Sequence, residues 1–555
     1  MSDLLTVVAI IFIVAGPFLL VANRFDLPTV PFLILAGFVA GRFIQEGPVL
    51  ELAQYGIALL VFTFGVSIRL SAIRPVLTDS EVAALGQILV VGSLSVVCGL
   101  LLGIPPTEVI FFGIAAALSS TIVGRALLQS EIRRNVVRGR LSRSIHFVQD
   151  LIGVVFLLVL GAGTLAIEPL ATQLGYGVAF LFAAGVVNKY LFALIKQFAG
   201  DSVELMIIGT VSLLVVFVGA AEFVGVSIVV GAFAAGLAVR YEPTEYLGLF
   251  NGLESIKDFF VAIFFVTIGA LVTVATVEKV VLAGVLVVLT VVVKPAITTT
   301  ILLYQGYEAR TATLTSLSTD QVSEFALIIA IEALLLGLLT QSVFDAIILA
   351  TAVTMITSSL SRNYDERIYR IVSSSGIFPG RHGKIDQWSK VPGDVDDHVI
   401  VVGYGRQSQY LVEALEELGK PYVVVENDPA RRDALVSGCA AYVFGDAMED
   451  YTWEKTAADR ARVIISTVDS APVSRHILSL DVDSHVILSA SDRDAALDLL
   501  AEGALYVFVS DLLAGQRLVQ YLHALADGIL TPEELRNRQL TEIQARSEIE
   551  TDTGW

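Results

Sequence analysis

Asp150 is an acidic residue inside an apolar stretch, HFVQDLIGVVFLLVLGAG, and Gln149 directly precedes it. Charged side chains are costly in the hydrocarbon layer of a membrane, so a carboxylate in such a stretch is a candidate functional group. A carboxylate held there can take up either a proton or a metal cation. The alternative is that Asp150 only pairs with a basic residue.

Lys294 lies in the middle of another apolar stretch, VLTVVVKPAITTT, and is followed by Pro295. Proline leaves one backbone carbonyl without a donor and kinks a helix. Lys294 is too far from either end of the stretch to reach water by extending its side chain. We expect its ammonium group to neutralise either Asp150 or a carbonyl-rich helix end.

Two further apolar stretches are interrupted by polar residues. The first, AAALSSTIVGRALL, contains Ser119, Ser120 and Thr121. The second, TSLSTDQVSEFALII, contains Thr319, Asp320, Gln321 and Glu324. Hydroxyls can bond within their own helix, which is the simpler interpretation of each serine or threonine alone. Two interrupted spans in opposite halves of a chain are typical of inverted-repeat transporters with an ion site at the membrane midplane.

These residues require membrane-spanning elements, because a helix that crosses a bilayer needs about 20 mainly apolar residues. We predict thirteen spans, near residues 3–22, 28–44, 50–68, 82–103, 107–128, 143–163, 174–197, 203–223, 226–240, 256–275, 280–303, 312–337 and 341–360. The predicted fold is an all-α polytopic membrane bundle over residues 1–361, followed by a linker at 362–396.

Basic residues are unevenly distributed between the loops. The loop after the fifth predicted span and the start of the sixth contain Arg133, Arg134, Arg138, Arg140 and Arg143. By alternation, most other Lys and Arg of the loops, including Arg69 and Arg74, fall on the same side, and only Arg42 and Lys279 fall opposite. The positive-inside rule then predicts a cell-membrane protein with its N-terminus outside and its C-terminal domain in the cytoplasm.

The C-terminal region has the pattern of a soluble α/β domain. Six short apolar strands alternate with helical segments between residues 397 and 525, which predicts a parallel, Rossmann-like sheet. Residues 526–555 form a charged tail. The net charge of −19 argues against a nucleic-acid partner, which would require a basic face.

The segment VVGYGRQSQYL follows the first predicted strand and opens a helix. Glycines there allow a tight turn and let the backbone approach a pyrophosphate at the helix N-terminus. An acid at the end of the second strand can bond a ribose hydroxyl. The candidate nucleotide-binding residues are Gly403, Gly405, Arg406, Ser408, Glu426 and Asp446. A degenerate domain that only dimerises is the alternative.

The ordered segments ALSSTIVGRALL, HFVQDLIGVVF, VVGAFAAGLAV, DFFVAIFFVTIGALV, VVVKP and DQVSEFALII resemble the Kef-type cation/proton antiporters. That resemblance implies that Asp150 binds cation and proton alternately, and that Gln149 favours K+ over Na+. Together with the polar interruptions and the mid-span lysine, the candidate ion and proton site comprises Asp150, Gln149, Ser119, Ser120, Thr121, Lys294 and Glu324. The sequence departs from the family pattern at Ser323, where glycine is usual, and at Asp320, an additional acid.

The segments GYGRQSQ, VVENDP and FGDA resemble the RCK (Trk-type NAD-binding) domain. That resemblance implies NAD(H) or an AMP-like adenine nucleotide as a regulatory ligand. We expect a homodimeric transporter, not an enzyme. The alternatives are a ligand-gated potassium efflux channel, although no carbonyl-lined filter segment lies between two spans, and a membrane-bound NAD-dependent oxidoreductase.

Overall fold

A computed structural model describes residues 4–25, 27–44, 46–68, 80–128, 137–161, 167–200, 202–240, 247–305, 307–374, 381–428 and 431–541. Arg69, Arg74, Arg133 and Arg134 of the predicted basic loops lie outside these ranges. The chain forms two compact units, one comprising Met1–Gln305 and Thr311–Ser375, the other Gly306–Arg310 and Gly376–Trp555.

The first unit is helical. Its first half contains α1 (Leu4–Arg24), α2 (Thr29–Ala40), α3 (Glu46–Ser67), α4 (Ser80–Leu101), α5 (Val109–Ala117), α6 (Thr121–Leu127) and α7 (Val137–Leu160). Its second half contains α8 (Ile167–Val186), α9 (Phe192–Ala199), α10 (Val203–Phe223), α11 (Ile228–Ala238), α12 (Leu247–Ala270), α13 (Val277–Val288), α14 (Lys294–Tyr304), α15 (Ala309–Ser316), α16 (Glu324–Leu335) and α17 (Gln341–Asn363).

Three irregular turns join some of these helices. The π-helical turns Val187–Leu191 and Leu289–Val293 connect α8 to α9 and α13 to α14, so each pair forms one continuous segment. The second π-turn directly precedes Lys294 and Pro295, where the missing proline donor disturbs regular helix bonding. The 3-10 turn Leu317–Thr319 extends α15. The segment expected to be a linker contains α18 (Asp365–Ser374) and α19 (Arg381–Trp388).

Within the described residues, nine helical segments are long and apolar enough to cross a membrane. The other four predicted spans also coincide with helices. Of these, α2 and α11 are apolar but short, α12 carries three charged residues, and the twelfth span is divided between α15 and α16. Many large apolar side chains of the unit are exposed, as lipid contact requires, among them Phe198, Phe223 and Tyr304. The predicted all-α membrane bundle with discontinuous helices is confirmed.

Glycines bring several helices of the first unit into backbone contact. A Cβ atom added at Gly236 of α11 would lie 2.2 Å from the Phe62 carbonyl oxygen of α3. In the reverse direction, a Cβ at Gly65 would lie 2.6 Å from the Phe233 carbonyl oxygen. In α12, a Cβ at Gly269 would lie 2.1 Å from a carbonyl of α2. Small residues permit such close approach between membrane helices.

The second unit contains a six-stranded parallel sheet. Its strands are β1 (His398–Val402), β2 (Tyr422–Glu426), β3 (Tyr442–Phe444), β4 (Ala461–Ser466), β5 (His485–Ser489) and β6 (Tyr506–Phe508). Its helices include α20 (Arg406–Glu417), α21 (Arg432–Gly438), α22 (Asp450–Lys455), α23 (Ala471–Leu478), α24 (Arg493–Ala501) and α25 (Ser510–Ala526). The strand order β3-β2-β1-β4-β5-β6 is that of dinucleotide-binding domains. The predicted Rossmann-like domain and its six strands are confirmed.

Replacing Gly236 by leucine should destabilise the membrane unit, because the new side chain collides with the backbone of α3. Overpacking of this kind costs about 1–3 kcal/mol. The measurement is the thermal unfolding temperature of the purified protein in detergent. Gly219→Leu is the matched control, since a Cβ there meets no atom within 4 Å. Equal unfolding temperatures for Gly236→Leu and the control would contradict the close contact.

Candidate functional site

The fifth predicted span is broken between α5 and α6. Leu118 ends α5 in an extended conformation, with φ −79° and ψ 146°. Ser120 is the N-cap of α6, and its hydroxyl accepts a hydrogen bond from the Val123 N–H at 3.2 Å. Serine is a preferred N-cap residue because its oxygen satisfies a free amide at the helix start. The local sequence therefore begins a second helix inside the span.

The twelfth predicted span is broken in the same manner. The chain leaves the 3-10 turn at Asp320 and begins α16 after Ser323, whose hydroxyl accepts from the Phe325 N–H at 3.0 Å. The Val322 N–H, which lies within the break, donates to the Thr354 hydroxyl of α17 at 3.2 Å. Ser323 thus supplies a helix cap at the position where the family resemblance predicted glycine.

The two breaks are bonded directly to each other, although they are about 200 residues apart in the chain. The Ser119 hydroxyl donates to the Thr319 carbonyl at 2.9 Å. The Gln321 amide donates to the Ser120 carbonyl at 3.1 Å. Backbone groups in a membrane interior need such partners, since no bulk water is there to satisfy them.

Lys294 joins the two breaks a second time. Its ammonium group donates to the Leu118 carbonyl at 3.1 Å and to the Gln321 carbonyl at 2.8 Å. The side chain is completely buried. The sequence predicted that Lys294 would neutralise either Asp150 or a carbonyl-rich helix end. The structure shows the second role, the bonding of carbonyls at helix ends. Among the contacts of the described residues, Lys294 forms no ion pair with Asp150.

Asp150 lies on α7 beside the first break and is 1% exposed. Its Oδ2 atom accepts a hydrogen bond from the Thr121 hydroxyl, whereas its Oδ1 atom has no hydrogen-bond partner within the described part of the chain. Gln149 is also buried, and its Oε1 atom accepts from the Ser119 N–H at 2.9 Å. Gln149 Oε1 thus holds the first break, and each residue retains one polar atom without a partner among the described residues: Nε2 of Gln149 and Oδ1 of Asp150.

Glu324 is the first residue of α16 and is buried. Its Oε1 atom accepts from the Ile122 N–H at 3.3 Å, in the first turn of α6. Carboxylates are favoured near helix N-termini by the partial positive charge there. Asp150 and Glu324 consequently meet the start of α6 from two different helices.

Other residues that support the breaks were not identified from the sequence. The Gln87 amide of α4 donates to the Ala117 carbonyl at 2.9 Å, and its oxygen accepts from the Thr298 hydroxyl at 2.8 Å. A single amide in an apolar span is a signal that would have identified Gln87. The Asp320 carboxylate accepts from the Ser361 hydroxyl at 2.6 Å, so this additional acid is held by α17.

In the second unit, Gly403 and Gly405 lie at the carboxyl end of β1. Gly403 has φ +87°, a conformation that L side chains rarely adopt. Gly405 precedes α20, and a Cβ there would meet only the Arg431 guanidinium, at 3.5 Å. The φ of Gly405 is −90°, so its backbone does not require glycine. Glycine at position 405 leaves open space between the N-terminus of α20 and the Arg431 guanidinium.

Glu426 ends β2, as predicted, and its carboxylate is engaged with backbone amides. Its Oε2 atom accepts from the Tyr404 N–H at 2.7 Å, and its Oε1 atom accepts from the Asp428 N–H at 2.9 Å. Arg431 lies 3.7 Å from this carboxylate. Burial, together with the charge of Asp428, raises the pKa of the Glu426 carboxyl. Glu426 therefore holds the glycine-rich turn in place through its hydrogen bond to the Tyr404 N–H.

The remaining predicted residues of this domain have separate positions. Ser408 is buried, and its hydroxyl bonds that of Thr467 at 2.8 Å, so it joins α20 to the end of β4. Arg406 is exposed at the first turn of α20. Asp446 follows β3, and its Oδ1 atom accepts from the Met448 N–H at 3.0 Å.

The carboxyl ends of β1, β2 and β3 thus share one sheet edge. Arg431, which the sequence interpretation missed, also lies at this edge.

Comparison with known proteins assigns both parts of the chain. Residues 8–362 match the family model described as "Sodium/hydrogen exchanger, transmembrane", and residues 399–510 match the TrkA-N domain. YbaL of Escherichia coli (strain K12), named as a cation/proton antiporter, is 25% identical over 91% of this chain and 94% of its own length.

The glutathione-regulated potassium-efflux system protein KefC of Klebsiella pneumoniae is 24% identical over 87% of this chain and 79% of its own length. Among solved structures, the sodium proton antiporter MjNhaP1 from Methanocaldococcus jannaschii is 15% identical, with a TM-score of 0.49, over 66% of this chain and 99% of that chain. The predicted resemblance to Kef-type antiporters with a Trk-type domain is confirmed. The chain belongs to the sodium/hydrogen exchanger family, as a polytopic cation/proton antiporter with a C-terminal TrkA-N domain.

Proposed function

We propose that this protein exchanges one monovalent cation for one proton, with Asp150 as the carrier carboxylate. The main support is the Oδ1 atom of Asp150, which is buried beside the joined breaks and lacks a partner among the described residues. A buried carboxylate oxygen is costly unless a proton or a cation satisfies it. Either species can complete the site, and each excludes the other.

The contacts of the breaks limit which groups can bind the cation. The Leu118 and Gln321 carbonyls already accept bonds from Lys294, and the Thr319 carbonyl accepts from Ser119. Side-chain oxygens near the start of α6 therefore remain as ligands. We assign Asp150 and Thr121 to the cation directly, with Glu324 beside them. Ser119, Ser120, Gln149 and Lys294 hold the backbone around the site.

The charges of the site favour one-for-one exchange. Gln149 is neutral, so the pair 149–150 contributes a single ionisable group. Glu324 Oε1 accepts from the N-terminus of α6, whereas its Oε2 atom, like Asp150 Oδ1, has no partner among the described residues. Lys294 is held by two carbonyls. In this proposal both charges stay constant. Exchange of one cation for one proton at Asp150 then leaves the net charge of the site unchanged.

K+ is the favoured cation, with Na+ as the alternative. The KefC relative is named for potassium efflux, and Gln149 occupies the position at which Kef-type potassium systems have glutamine. Both observations rest on the similarity to Kef-type proteins.

We infer that access alternates by movement of the site-bearing helices against a rigid scaffold. Backbone contacts at Gly65, Gly236, Gly37 and Gly269 fix α2 to α12 and α3 to α11. The site itself uses other helices, namely α4 to α7 and α14 to α17. The glycine-packed helices are suited to remain still and to form the homodimer interface.

The TrkA-N domain is proposed as a cytoplasmic regulator that binds NAD(H) or an AMP-like nucleotide. The basic residues of the loops support this orientation. The N-terminus of α20, the open space at Gly405 and the Arg431 cation fit a pyrophosphate. We assign Glu426 and Asp446, at the ends of the next two strands, to the ribose hydroxyls.

Asp150→Asn should abolish coupled exchange while the protein remains folded, because an amide cannot release a proton to admit a cation. The measurement is proton flux driven by K+ and by Na+ in proteoliposomes. Asp258→Asn is the matched control, since that aspartate is exposed on α12 and contacts Lys257. Exchange at the wild-type rate in Asp150→Asn would show that another group carries the ion.

Lys294→Met should lower the stability of the membrane unit, because the Leu118 and Gln321 carbonyls both lose their donor. An unsatisfied buried polar group costs about 1–3 kcal/mol. Thermal unfolding in detergent measures the effect. Lys257→Met serves as control, since Lys257 contacts only acidic side chains near it on α12 in the described residues. A Lys294→Met protein as stable as this control would refute the bridging role.

Arg431→Gln should weaken nucleotide binding by about tenfold or more, because a hydrogen bond to a charged group contributes about 1.5–3 kcal/mol. Calorimetric titration of the full-length protein with NAD+, NADH and AMP measures the affinities. The neighbouring Arg432→Gln is the control, since its guanidinium lies 4.5 Å above the Trp388 ring and away from Gly405. Unchanged affinity in Arg431→Gln would place the nucleotide elsewhere.

A further inference from the structure

His146 is a buried imidazole on the same helix as Asp150. It lies four residues before Asp150 on α7 and is 2% exposed. Residues four apart share one face of a helix and are separated by about 6 Å along its axis. His146 is therefore on the Asp150 face, one turn nearer the Val137 end of α7.

The hydrogen bonds of His146 define which ring nitrogen carries a proton. Its Nδ1 atom lies 2.6 Å from the Ser142 carbonyl oxygen, which can only accept, so Nδ1 donates in the neutral ring. The Nε2 atom is then an acceptor. This atom is buried and has no hydrogen-bond partner in the described ranges. The lone pair of a buried ring nitrogen is thus unbonded within the described structure.

The Nε2 edge of the ring faces α6, the helix that also contacts Asp150. A Cβ added at Gly124 would lie 2.7 Å from both Nε2 and Cε1 of His146. Gly124 is three residues after Thr121, whose hydroxyl donates to Asp150. The pairs Thr121–Asp150 and Gly124–His146 therefore occupy successive turns of the same helix–helix contact, and the glycine leaves room for the imidazole.

Two further observations describe the surroundings of His146. The Ser318 hydroxyl of the second broken span donates to the Ser142 hydroxyl at 2.8 Å, so the turn that holds His146 is fixed to the second break. Toward its Val137 end, α7 carries Arg138, Arg140 and Arg143, as expected near a membrane surface. The charged groups that act on the ring are Arg125 of α6 and Lys294 of α14.

We propose that His146 relays protons between Asp150 and the aqueous side at the Val137 end of α7. When a cation binds, the Asp150 carboxyl releases its proton and becomes the carboxylate that holds the cation. His146 Nε2 takes up that proton through water, because it is not hydrogen-bonded to Asp150, and becomes imidazolium. It then gives the same proton to bulk water and returns to the neutral ring. The reverse sequence reloads Asp150 as the cation leaves.

The test is His146→Gln in proteoliposomes, with proton flux started by K+ or Na+ across a range of pH, in H2O and in D2O. Glutamine does not titrate but retains an amide donor for the Ser142 carbonyl. General acid–base groups typically contribute 10²- to 10⁴-fold, so we expect proton flux to fall by roughly 10²-fold. The pH profile should lose one titration step, and the solvent isotope effect should increase as proton transfer becomes rate-limiting.

Gly124→Ala provides a second variant that leaves His146 in the sequence. Its methyl group collides with the imidazole and should reproduce the slowed flux and the larger isotope effect. Gly92→Ala is the control, since a Cβ there meets its nearest atom, Ala117 Cβ, at an ordinary 3.8 Å. A His146→Gln protein with the wild-type pH profile and isotope effect would overturn the relay.

The proposal rests on Asp150 as carrier, and one added measurement separates the two claims. Stabilisation of the protein against heat by K+ or Na+ should persist in His146→Gln, because the cation site is intact. The same stabilisation should be lost in Asp150→Asn. Loss of stabilisation in His146→Gln would assign His146 to the cation site and contradict the relay. Persistence in Asp150→Asn would contradict the carrier assignment instead.

Discussion

The membrane unit depends on one constraint: two helices are broken where no bulk water can satisfy their backbone groups. The structure meets it by joining the breaks. Lys294 bonds a carbonyl from each break, and Ser119 and Gln321 each bond a carbonyl of the opposite one. An ammonium group and two neutral side chains thereby replace the intrahelical bonds that the breaks remove. The residues that join the breaks are therefore different from those to which we assign the ion.

That separation explains the chemistry of the site. Because three carbonyls of the breaks already accept hydrogen bonds, we assign the cation to side-chain oxygen, and Asp150 retains an unbonded oxygen within the described structure. The N-terminus of α6 faces Glu324 and keeps a second carboxylate in place. In the proposed exchange, Glu324 keeps a constant charge, Gln149 is neutral, and Asp150 is the group that binds the proton and the cation in turn.

Much of this arrangement could be predicted from the sequence, and its limits have a physical cause. Apolar length and period predicted the spans, the strands and both interruptions, because these properties are local. The carbonyl partners of Lys294 lie in two other spans, and hydropathy carries no information about which helices meet. Arg431 and His146 were missed for the same reason, since each gains its role from a neighbour distant in sequence. Gln87 differs, because a single amide in an apolar span is a local signal. The sequence marks Asp320 as an additional acid, but it does not predict the contact with Ser361, because Ser361 lies in another helix, α17.

The central claim is that one carboxylate exchanges one cation for one proton, and the most direct test is the balance point of exchange. In proteoliposomes with opposing K+ and pH gradients, flux should stop when the two concentration ratios are equal. The account predicts that this null point stays the same when the membrane potential is clamped at different values, because no net charge moves. A null point that shifts with voltage would mean unequal charge movement and would contradict a single carrier carboxylate at Asp150.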